Sequence, residues 1–528
     1  MKENNYNYEA DWRPYAFPKE KQGFTSPEEI KKRFKEVDFN RSIKAGGIPI
    51  MSNGQKACLD DRTIMSLIYG STGSGKTRKL IVQTIMTCIM AHESLIIPDI
   101  KGELSKGVHS PMIRGLLKKH KYKEIFVDFR DMLSDGFNIL HIPYQLYKQG
   151  HKDEASQMVS EIVKGLASIY KGSKADPFWE QSAKPALEGI ILFLFEMCDE
   201  IQYINMHTIK MFTNSQGISY LDMIVDRFVT DNLVITKLRA LLSQPERTRA
   251  STLATLDTFI EPFLSNEKLS KMLNSSTFDV NEIYKKKTAL FLILPDENDA
   301  YERICGLILQ QINATLIMEA YKNNGTLSRR VNFICDEFCN YKIPNMAANI
   351  SASRSRNVRW IIVCQSQKQL LHAYPQDADT IIANCENVFF FNSNETSLLH
   401  ELSENAGMTY ITKDEVGKPL MSIQDLRSLK KGWEYTEVLY TSRDILYVTS
   451  LPDIAQYPCT KRYQKKYDLP IIEKEKTEVY TPEMVYNNLN AIERYDREAY
   501  LRIIHNDENY KSKIFDPNLE SYFDFEED

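Results

Sequence analysis

Short apolar runs, each closed by polar or glycine-rich turns, set the rhythm of this chain. Residues 63–69 (TIMSLIY), 94–97 (SLII), 124–128 (EIFVD), Thr288–Leu294 (TALFLIL), Val331–Cys335, Val358–Cys364 and 387–391 are such runs. Apolar side chains in unbroken succession imply strands covered on both faces, as in a parallel sheet flanked by helices. Between them, residues 78–90, 301–322 and Gln367–Ala373 carry helical periodicity, and the amphipathic stretch 27–37 reads as one helix. The pattern changes after about Ile142. From there to about residue 275 it reads mostly as helices, at 153–170, Pro177–Met197, Met206–Met211, 231–242 and 251–263. The simplest architecture is an α/β fold, a parallel sheet interrupted by an all-α insertion.

Composition narrows the picture. At 528 residues the chain exceeds one ordinary core, and 43% hydrophobic with 26% charged residues is a soluble globular balance. The nine cysteines are scattered without a Cys-x-x-Cys pair. Cys335 and Cys339 are the closest two, and they read as small buried hydrophobes in a reducing compartment rather than metal ligands. The first residues, MKENNYNYEADWRPYAF, lack the apolar core of a leader or anchor. The most apolar helix-like run, 189–195, is far short of the ~20 residues that span a bilayer. Net charge is −5, so any nucleic-acid contact has to come from a local basic patch or a ring of subunits. Residues 466–528 read as an extension whose end, with Glu520, Asp524, Glu526, Glu527 and Asp528, is a solvated acidic tail.

Candidate chemistry begins at Gly70-Ser71-Thr72-Gly73-Ser74-Gly75-Lys76-Thr77, which matches G-x-x-x-x-G-K-[ST] between a strand and a helix. Backbone N–H groups of such a loop cradle phosphates at the positive end of a helix. Lys76 is placed to reach the β- and γ-phosphates of ATP, and the Thr77 hydroxyl to take one Mg²⁺ position. The strand Val331–Cys335 ends in Asp336-Glu337: Asp336 suits the Mg²⁺ shell and Glu337 suits polarising the attacking water. Compactness leads us to expect these two strands to be neighbours in the sheet. Gln365, after a further strand, suits a γ-phosphate sensor because an amide both donates and accepts. Arg354 and Arg356 precede that strand, and either could serve a phosphate of its own or a neighbour's site. No His-Glu-x-x-His and no G-x-S-x-G is present, so no metalloprotease or serine-hydrolase chemistry competes.

These blocks resemble the type IV coupling proteins, the ATPases of conjugation and type IV secretion that belong with the hexameric DNA pumps. The resemblance spans roughly residues 63–450. It rests on Pro98-Asp99-Ile100-Lys101-Gly102-Glu103-Leu104, Phe137-Asn138-Ile139-Leu140, Phe178-Trp179, Asp336 through Asn345, Ser353-Arg354-Ser355-Arg356-Asn357, Cys364-Gln365-Ser366, Asn384-Cys385 and Glu395-Thr396. The resemblance implies a RecA-like P-loop sheet over 63–142 and 275–465, with an all-α insertion at 143–274. An N-terminal segment, 1–62, precedes it. It implies ATP and Mg²⁺ as ligands, with Lys76, Thr77, Asp336, Glu337 and Gln365 at the nucleotide site and Arg354 ranked above Arg356. It also implies a homo-hexamer that receives a relaxase with its single-stranded DNA and meets a channel ATPase. Many relatives begin with membrane helices. This chain shows none, so the expectation is a cytoplasmic protein held at the inner face of the membrane by a separate membrane protein. Two other readings stay open: a DNA motor outside secretion, and a nucleotide-gated docking adaptor with negligible turnover.

Overall fold

The structure is a computed structural model that describes residues 23–169, 177–297, 299–409, 417–474 and 476–493. The acidic tail lies outside the described residues. By its internal contacts the chain divides into two compact units, Met1–Ile139 with Ser265–Lys476 and Leu140–Leu264 with Thr477–Asp528.

In the first unit a capping box starts the chain's first described helix, Pro27–Arg33: Ser26 accepts from the Glu29 backbone and Glu29 reaches back. That helix is shorter than the 27–37 expected. Phe34 turns extended at φ −117°, ψ 144°, and the chain continues as β1 (Lys35–Asp38). The reason is pairing: Lys35 to Asp38 lie opposite Leu59 to Lys56, which tucks Val37 and Phe39 into the core. With β2 (Ile48–Ser52) and β3 (Lys56–Asp60), β1 forms a three-stranded antiparallel sheet that the hydrophobic pattern did not reveal.

The main sheet has nine strands. They are β4 (Ser66–Tyr69), β5 (Ser94–Ile100), β6 (Lys123–Asp128), β7 (Thr288–Leu294), β8 (Val331–Cys335), β9 (Val358–Cys364) and β10 (Asn387–Phe390), followed by a late pair. After a two-residue pairing of β11 (Met408–Thr409) with β12 (Lys418–Pro419), that pair is β13 (Tyr435–Ser442) and β14 (Ile445–Pro452). Their order is β14-β13-β10-β4-β9-β8-β5-β7-β6. Neighbours from β10 to β6 are parallel, while β13 and β14 add an antiparallel edge. Every residue of β7, β8 and β9 is buried, as a sheet with both faces covered requires.

One expectation about this sheet fails. The strands leading to Lys76 and Asp336 are not neighbours, because β9 lies between them, with Ser66–Tyr69 paired to Ile361–Cys364 and Val331–Cys335 to Val358–Ile362. The chain steps from β4 across two places to β5, and β8 and β9 fill the gap some 240 residues later. Sequence order carries no record of that skip. The switch in strand order lies at the carboxyl ends of β4, β9 and β8, the end at which ligands of open α/β sheets bind.

The described part of the second unit contains helices and no strand. They are His141–Lys148, Lys152–Ile169, Pro177–Met197, Met206–Met211, Ser215–Phe228, Asn232–Leu242 and Glu246–Leu264. Pro177–Met197 is its axis, with Leu187, Ile190, Ile191, Phe193 and Leu194 buried. Residues 477–493 fold with these helices: Tyr480 stacks on Tyr203 at 5.1 Å, and Asn205 Nδ2 donates to the Glu478 carbonyl at 2.8 Å. Residues 265–274 instead pack in the first unit, where the Phe137 N–H donates to the Met272 carbonyl at 3.0 Å. No helix among the described residues is long and apolar enough to cross a membrane.

Candidate nucleotide-binding site

The loop Gly70–Gly75 leaves the carboxyl end of β4 and is held by its sheet neighbours. The Gly70 N–H donates to Cys364 O on β9 at 3.2 Å, and the Ser71 N–H to Asn392 O at 2.9 Å. Gly73 and Gly75 have φ of +71° and +95°, which side-chain-bearing residues rarely adopt. A Cβ on Gly70 would fall 2.7 Å from Ser74 Oγ and 3.0 Å from Lys76 Cδ, so glycine keeps the cradle open. Ser74 Oγ is buried with no hydrogen-bond partner among the described residues. A glycine-rich loop at a helix start that holds a buried, unsatisfied hydroxyl fits a polyphosphate. The helix behind the loop begins with a π-type turn, Thr77–Ile81, before its α-helical part Val82–Met90.

Lys76 Nζ donates to Gly70 O at 2.6 Å and Ser71 O at 3.1 Å. Burial lowers the pKa of this ammonium, and Asp336 and Glu337 oppose that shift. Thr77 Oγ1 donates to Asp336 Oδ2 at 2.8 Å across the intervening strand. The second carboxylate oxygen accepts the Glu337 N–H at 3.1 Å, and Tyr341 Oη anchors the Asp336 carbonyl at 2.7 Å. A hydroxyl and a carboxylate side by side, with a lysine nearby, match the donor set of a phosphate-bound Mg²⁺.

Glu337 takes a left-handed conformation, φ +52°, that turns it away from the strand direction. Burial and the adjacent Asp336 push its pKa up, while Lys101 and Lys76 pull it down and Glu103 adds to the rise. Lys101 and Glu103 lie on the loop after β5. Asp99 holds that loop, accepting from the Leu104 N–H (3.1 Å), the Ser105 N–H (2.8 Å) and Ser105 Oγ (2.5 Å). Burial pushes the Asp99 carboxyl up to about 6 against those hydrogen bonds. The PDIKGEL stretch thus presents two charges to Glu337, a role the strand-and-motif reading had not assigned.

Gln365 follows β9 and is half-buried, its N–H donating to Gln369 Oε1 at 3.1 Å, on the same edge of the sheet as the loop. Arg354 does not join these groups. It precedes β9, at the opposite edge of the sheet, about 20 Å along a seven-residue strand from the Gln365 end. There Arg354, Arg62 and Arg443 converge on the carboxylate of Glu386, at 3.6, 3.1 and 3.0 Å. Arg356 caps its own turn through Ala352 O at 2.5 Å.

Residues 430–437 close over the other side of the loop. Lys79 Nζ donates to the carbonyls of Trp433 and, at 3.1 Å, Glu434. Arg78 and Asp453 pair through two bonds of 2.8 and 2.7 Å, and the Arg78 guanidinium sits 5.3 Å from the Trp433 ring centre. No motif flagged this hairpin. Its only sequence signal is a tryptophan in the otherwise polar run KKGWEY.

The profile of the family described as type IV secretory system conjugative DNA transfer matches residues 19–437. Among curated protein sequences, none matches the chain. Three solved structures of the plasmid coupling protein TrwB share its fold at 14% sequence identity. The complex with the ATP analogue ADPNP gives a TM-score of 0.56 and covers 86% of this chain and 94% of that one. The complex with the GTP analogue GDPNP gives 0.55, with 86% and 96% covered. The complex with ADP and Mg²⁺ gives 0.54, with 86% and 95% covered.

Proposed function

The chain belongs to the family of type IV secretory system conjugative DNA transfer proteins, and from that premise we propose that it is an ATP-hydrolysing coupling protein. It receives a relaxase with its single-stranded DNA, or a protein cargo, and delivers it to a conjugative secretion channel. The observation that carries the hydrolytic part is the meeting of Thr77 with Asp336 at 2.8 Å beside Lys76 and Glu337. In this reading the main sheet is a RecA-like motor core. Lys76 and the N–H groups of Gly70–Thr77 hold the phosphates, and Thr77 and Asp336 hold Mg²⁺, which supplies charge neutralisation there. Glu337 orients and polarises the attacking water, and its upward-shifted carboxyl is the better proton acceptor for it. Gln365 senses the terminal phosphate.

Arg354 is remote from Lys76, Asp336 and Glu337, which supports assembly in a ring, as a homo-hexamer, where a neighbour's arginine completes each site. The helical unit, free of motor motifs, is the natural place for cargo recognition. A channel ATPase and a separate membrane protein are the further partners of this reading, with the chain cytoplasmic at the inner face of the membrane.

The test is the ATPase rate of wild type and Glu337→Gln, each with and without single-stranded DNA. DNA-stimulated turnover that falls by about 10²–10⁴-fold in the variant, with ATP still bound, supports the proposal. ATP binding without turnover under every DNA condition replaces it with a nucleotide-gated docking adaptor.

A further inference from the structure

We propose that Trp433 is the platform on which the base of the bound nucleotide stacks, and that the site therefore accepts either purine. This rests on the reading of Gly70–Thr77 as a phosphate cradle. The indole is 79% exposed, an unusual state for so large an apolar group. Yet it is not loose. The hairpin that carries it is closed by the Lys431–Thr436 bridge and by Thr436 Oγ1 donating to Gly432 O at 3.2 Å. The helix behind the phosphate cradle grips the hairpin tip, because Lys79 bonds the Trp433 and Glu434 carbonyls.

The hairpin also abuts the cradle itself. A Cβ on Gly73 would lie 3.8 Å from Lys431 Nζ, and one on Gly75 3.8 Å from Thr436 Oγ1. A nucleotide whose phosphates lie along Gly70–Thr77 leaves the loop past Thr77, where Arg78 begins. Arg78 is fixed by Asp453 against the Trp433 ring, so guanidinium and indole form a rigid cation–π pair with the rest of the indole open to solvent. A positively backed aromatic surface next to a phosphate site is what a base seeks. Stacking reads the π-face of a base and not its hydrogen-bonding edge, so adenine and guanine are held alike and the smaller pyrimidines less well.

The experiment titrates the full-length protein with ADP plus Mg²⁺ and, separately, with inorganic tripolyphosphate, following tryptophan fluorescence and binding heat. Among the described residues of the sheet unit, Trp360 is fully buried and Trp433 is the exposed tryptophan, and loss of the quench in Trp433→Phe separates its signal from that of Trp12. ADP is expected to quench wild-type fluorescence and tripolyphosphate to bind without that quench. Trp433→Phe, which keeps an aromatic face, should lose the quench and bind ADP within about threefold of wild type. Trp433→Ala should bind ADP about tenfold more weakly with tripolyphosphate affinity unchanged. ADP affinity equal to wild type in Trp433→Ala, with tripolyphosphate still bound, overturns the platform and leaves the phosphate cradle standing. Failure of both ligands to bind wild type overturns the cradle and the platform together.

Discussion

At the scale of single residues, the proposed chemistry turns on the ionisation of Glu337. Its pKa is raised by burial and by Asp336, and a water-polarising carboxylate works only when ionised. If Glu337 polarises the attacking water, activity should therefore be lost as pH falls through that raised pKa. Lys101 lowers the pKa and Glu103 raises it, so the two substitutions have opposite signs. Lys101→Ala should move the acid limb of the kcat/KM profile to higher pH, and Glu103→Gln should move it to lower pH. Identical acid limbs in all three proteins would show that another group sets the limb. The candidate cradle was legible because a phosphate-binding loop of this kind is a local string of glycines, a lysine and a hydroxyl. The placing of Lys101 and Glu103 near Glu337 and of Trp433 against Arg78 was not, because strands and hairpins brought together by pairing produce it, which no local string encodes.

At the scale of elements, close approaches rather than motifs set the site's geometry. Gly306, in the helix Asp299–Lys322, lies where a Cβ would meet Tyr341 O at 2.1 Å and Lys342 O at 2.8 Å. Tyr341 in turn anchors the backbone of Asp336. Gly306→Ala should destabilise the fold by about 1–3 kcal/mol and depress ATP turnover more than ADP binding, measured by thermal unfolding and steady-state kinetics. The segment after β5 gives a second case. Asp99, at one end, has a carboxyl raised to about 6, and burial holds His109, at the other, down to about 4. Between pH 4 and 6 the folded state binds Asp99's proton more readily than the unfolded chain, so acidification stabilises. His109 does the reverse: the unfolded chain takes its proton from about pH 6.5 downward, so acidification destabilises. Each is an effect of at most about 3 kcal/mol and they nearly cancel. Asp99→Asn should therefore unmask an acid-induced loss of stability between pH 6.5 and 4, and His109→Gln an acid-induced gain relative to wild type. Equal pH slopes for the three proteins in urea unfolding would refute the opposition. The long parallel strands were visible in the sequence because continuous burial leaves continuous apolar runs. Their spatial order was not, and β1 was hidden because only Val37 of its four residues is buried.

At the scale of the whole molecule, the sheet separates the two halves of the proposed reaction. Gly70–Thr77, Asp336, Glu337 and Gln365 share one edge, and Arg354 sits at the other, tethered with Arg62 and Arg443 to Glu386. The family resemblance pointed to Arg354 from sequence but could not say which copy of the site it would serve, since that depends on a strand's direction within a sheet. A seven-residue strand of about 20 Å between Arg354 and Gln365 rules out service to its own chain's phosphates in this arrangement. If the arginine acts in a ring, it acts on a neighbour. Mixing supplies the test. Arg354→Ala subunits keep an intact cradle but lend no arginine, and Glu337→Gln subunits lend the arginine but cannot hydrolyse. Each variant alone should be inactive, and a co-assembled mixture should recover ATPase at every interface where an Arg354→Ala site meets a Glu337→Gln neighbour. Recovery that rises and falls with the mixing ratio, peaking near equal parts, places Arg354 in trans. Activity no greater than the sum of the separate variants overturns service in trans, and full activity of Arg354→Ala alone leaves the arginine a surface partner of Glu386.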